Sequence, residues 1–182
     1  EFTMTLADGT RVWLNSESEL HFPLQFGGEE RKVQLTGEAY FEVAKDAAHP
    51  FVVEVCDSKI QVLGTGFNVR SYSEEGQIVT TLVEGAVCFE SIEDRVILKP
   101  GEQSILDKEG QLQKRVVEVY PFVAWKEGRF FWLKGGIVPI FRLSLFSFSY
   151  KNCIVFYGAI YAPDRFDHFH QCLETFITHH TP

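Results

Sequence analysis

The sequence predicts a mainly β protein, with an antiparallel two-sheet β-sandwich over residues 1–120 and a small α+β subdomain over residues 121–182. Three observations support this division. Short stretches of alternating apolar and polar residues fill the first part, with turn signals about every 8–12 residues. No sustained apolar period of 3.6 residues occurs there, so no long helix is expected. Near residue 130 the composition changes from charged to apolar.

Turn signals set the order of the predicted strands. Asp8-Gly9 should turn the first hairpin, between strands at 2–6 and 12–14, because glycine tolerates the positive φ of a tight turn. In a sandwich two sheets pack together, and each sheet buries one face. Further strands are predicted at 22–26, 33–35, 37–43, 51–55, 60–62, 67–69, 78–82, 87–89 and 96–98.

The stretch at 37–46 reads GEAYFEVAKD, and its alternation predicts a strand with one buried and one solvated face. The solvated face would carry Glu38, Tyr40 and Glu42. Glu38 and Glu42 lie about 13 Å apart along such a strand. Because this exceeds the roughly 5–9.5 Å of a glycosidase carboxylate pair, we expect a solvated face and no catalytic pair.

These letters resemble a signature of the FecR family, sigma-factor regulators (anti-sigma factors) of the Gram-negative inner membrane. Five further stretches resemble motifs of that family, in the family's order. They are LADGTRVWLN at 6–15, VLGTGFNV at 62–69, TTLVEGAV at 80–87, LKPGEQ at 98–103 and WKEGRF at 125–130. Six ordered matches make the resemblance specific over residues 6–130, whereas residues 131–163 match poorly.

The resemblance implies a periplasmic signalling domain without enzymatic activity or cofactor. In this family the periplasmic region senses a TonB-dependent outer-membrane transporter through the transporter's N-terminal signalling domain. A cytoplasmic domain and one membrane helix, upstream of the region seen here, lead to an extracytoplasmic-function sigma factor. The resemblance also implies that the subdomain at 121–182 is a βαβ unit, similar to secretin and TonB short N-terminal domains. Because the apolar excess of this subdomain must be buried against something, we expect it to be the docking surface. The contact residues are unknown.

Charge and hydropathy limit the partners. The net charge is −8, and no cluster of Lys and Arg is present to bind phosphates, so nucleic acid is not an expected partner. Residues 1–129 hold 22 acidic and 13 basic residues, while 130–182 hold nine of the 17 phenylalanines. No uncharged apolar run reaches the roughly 18–20 residues that a membrane helix needs. We therefore expect a soluble region, which the resemblance implies is the periplasmic part of an inner-membrane protein.

Cysteine and histidine do not predict a metal site. The cysteines form no CxxC pair, and two readings stay open for them, buried free thiols or a disulfide that the periplasm would permit. His168 and His170 are two apart, so they point to different sides of a helix. The terminal His179-His180 pair is expected to be solvated. The four cysteines are Cys56, Cys88, Cys153 and Cys172.

Two alternatives to a signalling module are considered. Gly64-Thr65-Gly66 lacks the third glycine and following helix of a dinucleotide site, and is read as a turn or bulge. The aromatic residues favour a different alternative, a carbohydrate- or small-ligand-binding sandwich with a stacking surface, against which core packing is the simpler explanation. The aromatic residues concerned are Trp13, Tyr40, Tyr72, Trp125 and Trp132.

Overall fold

The computed structural model describes residues 2–129, and within them the protein is mainly β. Twelve strands are followed by one short helix, α1 (Tyr120–Val123), and a 3₁₀ turn at Ala124–Glu127. None of the described helices is long and apolar enough to cross a membrane. The strands are β1 (Phe2–Thr5), β2 (Arg11–Leu14), β3 (Glu19–His21), β4 (Arg31–Glu42), β5 (Phe51–Val55), β6 (Ser58–Val62), β7 (Gly66–Ser71), β8 (Gln77–Glu84), β9 (Val87–Glu90), β10 (Arg95–Leu98), β11 (Glu102–Asp107) and β12 (Leu112–Val116).

The strands form one mixed, nearly closed sheet in the order β10-β9-β6-β5-β4-β7-β8-β11-β12. Strand β4 is its centre, because it pairs with β3 and β5 along its first half and with β2 and β7 along its second half. Gly37 separates the two halves with a φ of 89°. A Cβ atom at this position would lie 2.4 Å from Ser18 Oγ, so only glycine fits the bend.

The interior of the sheet is a core of aliphatic residues and phenylalanines. Phe41 stacks on Phe67 with ring centroids 5.2 Å apart, and Phe51 packs against Phe41 at 6.0 Å. All three side chains are completely buried. At about 1.5–3 kcal/mol for each fully buried large apolar side chain, such residues are the main source of stability.

The mainly β class is confirmed, but a wholly antiparallel arrangement is wrong for one strand pair. Strands β4 and β5 are parallel, with Arg31 opposite Phe51. The register joins residues 31–34 of β4 to residues 51–54 of β5, so residues 35–50 form the crossover, and these sixteen residues meet the dozen or more that parallel neighbours usually need. The second half of β4 belongs to this crossover, since it lies beyond the Gly37 bend and pairs with β2 and β7. The division into two packed sheets stays a prediction. Strand β4 is hydrogen-bonded both to the strands beside its first half, β3 and β5, and to those beside its second half, β2 and β7, so all of them belong to one sheet.

Arg31 fixes the last part of this crossover from its position at the start of β4. Its Nη1 atom donates to the carbonyl oxygen of Ala44 at 2.9 Å, and its Nε atom donates to the carbonyl oxygen of His49 at 2.8 Å. Nη1 also pairs with the Asp8 carboxylate at 2.6 Å, in the turn between β1 and β2. The Asp8-Gly9 hairpin turn predicted from sequence is therefore confirmed, and it holds the buried arginine as well.

The strand predicted at 22–26 is wrong. The third strand ends at His21, and residues 22–30 form a loop. Pro23 has no backbone N–H to contribute to a sheet, and Leu24 is 91% exposed, so this segment gains neither a ladder nor burial. The other predicted strands coincide with strands of the structure, except that 2–6 and 37–43 each extend one residue too far; 33–35 and 37–42 lie in the single long β4.

Cys56 and Cys88 are free thiols, so no bridge joins this pair, but Cys56 is exposed and Cys88 is half-buried, so the expectation of buried thiols is wrong for Cys56. Strand pairing places Gln61 opposite Cys88, while Cys56 lies in the turn between β5 and β6. The predicted subdomain beyond residue 129 lies outside the described residues, as do Trp132, Cys153, Cys172 and the histidines from His168 onwards.

Two neighbouring threonines of β8 offer a matched test of this packing. Thr80 faces the core, and its buried hydroxyl has no hydrogen-bond partner in the described protein, whereas Thr81 accepts a bond from Gln103 Nε2 at 2.6 Å. We expect Thr80→Val to raise the free energy of unfolding by about 1 kcal/mol, since it removes an unpaired buried hydroxyl. Thr81→Val should lower it by about 1–3 kcal/mol. Urea unfolding measures both free energies. Equal changes in the two variants would contradict the conclusion that the Thr80 hydroxyl is unpaired and the Thr81 hydroxyl is paired.

Candidate functional site

A buried polar network on the outer face of the sheet is centred on Glu38, the residue after the Gly37 bend. Glu38 is 2% exposed, so its prediction as a solvated residue is wrong. Asn15 Nδ2 and Asn68 Nδ2 each donate to its carboxylate at 2.9 Å. Arg70 Nη1 donates to the same carboxylate at 3.1 Å. Three side chains, two from β7 and one from the residue after β2, thus satisfy a single buried carboxylate.

Charge in this network is balanced by a second carboxylate. Arg70 also forms a two-bond ion pair with Glu75, which lies in the 3₁₀ turn Ser73–Glu75 after β7. Burial raises the pKa of Glu38, and the Arg70 charge together with the two amide donors opposes that shift. The guanidinium of Arg70 lies between two acids, so movement of either acid changes the surroundings of the other.

The network continues into the backbone at the Gly37 bend. Ser18 Oγ accepts a hydrogen bond from the Glu38 backbone N–H at 2.8 Å, and the Tyr72 hydroxyl donates to the Ser16 carbonyl at 2.9 Å. Burial raises the pKa of Tyr72 to about 12, so its hydroxyl keeps its proton and acts as a donor at neutral pH. The loop before β3 is therefore tied to the end of β7.

A second apolar cluster covers the outer face beside Glu38. Its buried members are Tyr40, Val123 and Trp125, and Trp13 packs against them. Trp125 Nε1 donates to Asn68 Oδ1 at 3.2 Å, which joins the 3₁₀ turn Ala124–Glu127 to the Glu38 network. Because this segment covers the strand, Tyr40 is buried as well, and the prediction of a solvated face is wrong there too.

The ammonium group of Lys126 completes the cover. It lies 4.9 Å from the ring centroid of Tyr40 and 5.4 Å from that of Trp13. Such cation–π contacts contribute roughly 0.5–2 kcal/mol each. The residues just before the end of the described chain are thus fixed to the sheet by a hydrogen bond, by apolar packing and by a charge on two aromatic faces.

The same contacts show where the aromatic residues of the predicted stacking surface lie. Tyr40 and Trp125 are buried against each other's segment, and Trp13 meets Tyr40 edge to face with centroids 5.6 Å apart. Tyr72 is half-buried beneath the guanidinium of Arg70, at 5.1 Å. No flat aromatic platform for a sugar is formed by these four residues, so core packing explains them.

Other predicted site residues are not brought together. Glu42 is half-exposed and pairs with Arg11 on the neighbouring strand. Gly64-Thr65-Gly66 forms the turn between β6 and β7, with Thr65 Oγ1 donating to the Ala86 carbonyl at 3.0 Å. Within residues 2–129 no group of three or more His, Cys, Asp or Glu residues has the geometry to hold a metal ion.

The sequence shows the motifs one by one and does not show that their polar residues meet in one network. Asn15, Glu38, Asn68 and Trp125 come from four different motif stretches, and the structure joins them in one network. An available signal was the polar residue that ends or interrupts each otherwise apolar stretch. Polar groups in such positions are usually paired with one another when they are buried.

Comparison with known proteins agrees with this geometry. The model of the FecR protein family matches residues 1–88. Residues 1–88 belong to the FecR family. Two crystal structures of a candidate anti-sigma factor from Parabacteroides distasonis, at 1.65 and 2.50 Å resolution, are each 33% identical to this chain, with a TM-score of 0.68. Each alignment covers 70% of this chain and 60% of the other. No curated protein matches the sequence.

The contribution of the Glu38 network to stability can be measured with two glutamates of one strand. We expect Glu38→Gln to lower the free energy of unfolding by about 1–3 kcal/mol, because an amide N–H₂ would face the donors of Arg70. Glu42→Gln, which loses only a surface ion pair, should cost less than about 1 kcal/mol. Chemical unfolding followed by Trp fluorescence gives both values. A Glu38→Gln protein as stable as the Glu42→Gln protein would show that the buried pairing contributes nothing.

Proposed function

We propose that this chain is the periplasmic signalling region of a membrane-anchored sigma-factor regulator. The observation that carries the proposal is the convergence of FecR-family motif residues on one network that ends at Trp125. That network fixes the segment leading out of the β domain to the centre of the sheet. Similarity to a candidate anti-sigma factor supports the same role.

The proposed input is the N-terminal signalling domain of a TonB-dependent outer-membrane transporter. The proposed output is control of an extracytoplasmic-function sigma factor through a cytoplasmic domain of the full-length protein. Binding shifts a conformational equilibrium only by the difference in its affinity for the two states. Segment 119–128 is packed on Tyr40 in this structure, and the proposed second state is one in which it is released.

A non-enzymatic role accords with how the acidic residues are used. The Glu38 carboxylate is enclosed by three donors, and the Asp8 carboxylate is held by Arg31 and Thr10. Both groups act as fixed acceptors in the fold. The work of the protein is then binding and its coupling to the chain that leaves the sheet.

Strand addition at a sheet edge is a second proposed mode of docking, in addition to docking by the C-terminal subdomain. Among the described strands, β12 pairs with β11 alone, and its residues 113–116 are exposed. Val116 at its end is 81% exposed. An unpaired edge of this kind accepts a strand from another chain.

Calorimetry with the signalling domain of the transporter encoded beside this protein tests the proposed partner. We expect a complex with that domain and none with the signalling domain of an unrelated transporter, since specificity needs both a fit and a mismatch. Absence of heat and of co-elution with the neighbouring transporter domain would contradict the partner assignment.

A sigma-dependent reporter tests the output in cells that express the full-length protein. Trp125→Phe keeps the apolar ring but leaves Asn68 Oδ1 without the indole donor, so we expect altered reporter induction. Trp13→Phe is the matched control, because Trp13 has no hydrogen bond to the Glu38 network among the contacts of the described chain. Equal reporter output from both variants would exclude Trp125 from the relay.

A further inference from the structure

A cavity of about 410 Å³ opens where several turns of the sheet meet. Its walls come from the β5–β6 turn, the 3₁₀ turn Ser73–Glu75, the β9–β10 turn and the β11–β12 turn. Its size lies within the range of roughly 300–1,000 Å³ that is usual for small-molecule sites. The Glu38 network uses only Tyr72 of its lining, so the cavity is a separate feature of the molecule.

The cavity has an apolar floor. Ile78 of β8 and Leu106 of β11 are cross-strand partners that point into the core from the two sides of this floor. Ile92, on the β9–β10 turn, adds an apolar side chain at the mouth and is 81% exposed. An isoleucine at the mouth of an apolar cavity is positioned to contact the body of a ligand.

Hydrogen-bonding groups lie behind that floor. Thr80 and Ser104 form the next cross-strand pair inward on the same face, and both are completely buried. Neither hydroxyl has a partner among the described residues. Neither residue lines the cavity, so the ligand contacts proposed below are those of the floor, the mouth and the rim.

The rim of the cavity is acidic. One basic side chain, Lys108, stands among the carboxylates of four lining residues, which gives the rim a formal charge of −3. The four acids are Asp57, Glu93, Asp107 and Glu109. Low-dielectric walls strengthen the field of such a rim and raise the local concentration of cations.

We propose that this cavity binds a small amphipathic cation. Its apolar body would lie on Ile78 and Leu106, and its amine or guanidinium group would stand at the acidic rim. The apolar floor requires the body, and the charge of the rim selects the cation over an anion of the same shape. This inference does not depend on the proposed signalling function, because it rests on the cavity alone.

Three probes with one apolar body and different charges test the proposal on the full chain. They are 4-phenylbutylamine, 4-phenylbutanol and 4-phenylbutanoate, titrated while the backbone amide signals of Ile78 and Leu106 are followed by NMR. We expect the amine to bind roughly five- to tenfold more tightly than the alcohol, as two or three partly exposed charges at close range allow. The carboxylate should bind most weakly.

Variants separate the rim from the floor. Asp57→Asn with Glu93→Gln should reduce the affinity for the amine to that for the alcohol, and Ile92→Ala should weaken binding of all three probes. Glu29→Gln with Glu30→Gln, which removes the same charge away from the cavity, is the matched control and should leave the preference intact.

Three results would overturn the proposal. The first is that no probe shifts the signals of Ile78 and Leu106. The second is that the amine binds no more tightly than the alcohol. The third is that the control pair at 29 and 30 lowers the preference as much as the rim pair, which would reduce the effect to net charge.

Discussion

The fold depends on the bend of β4 at Gly37. One strand of twelve residues serves both groups of strands, and its change of direction brings residue 44 back to Arg31 at its start. The φ at Gly37 is positive, and a Cβ atom at this position would clash with Ser18 Oγ, so there is no room for a side chain. Arg31, paired with Asp8 and two carbonyls, holds the returned chain in place. The parallel pairing of β5 with the first half of β4 depends on this bend, since the second half of β4 lies within the connection between them.

The bend also explains why a carboxylate is buried next to it. At Gly37 the strand passes from one set of partners to the other, and the loop before β3 approaches so closely that Ser18 binds the Glu38 backbone N–H. The Glu38 side chain then faces Asn68 and Arg70 on β7, beneath the segment that carries Trp125. Breaking a buried ion pair on one side costs more than the pair contributes, so such a site constrains all its members together.

Local sequence predicted the parts of the fold that depend on local physics. Glycine and proline at Gly9, Pro50 and Gly101 mark real chain reversals or strand starts, and alternation found most strands. Alternation predicted a wrong strand at 22–26, where Phe22, Leu24 and Phe26 alternate around Pro23. It failed again at Glu38 and Tyr40, since their cover comes from Trp125, about 85 residues later in the chain. Period-two patterning reports which residues share a face, and only tertiary packing decides whether that face meets water.

Tyr72 places the cavity and the Glu38 network on one continuous surface. Asn68, Arg70 and Tyr72 alternate along β7 and its extension, so they share the outer face. Tyr72 lines the cavity, Arg70 lies over its ring, and Asn68 binds Trp125. Contiguity alone does not couple two sites, because coupling needs an element with two arrangements. Arg70 joins the two features, since its guanidinium pairs with Glu38 through Nη1 and with Glu75 through Nε and Nη2 at the same time.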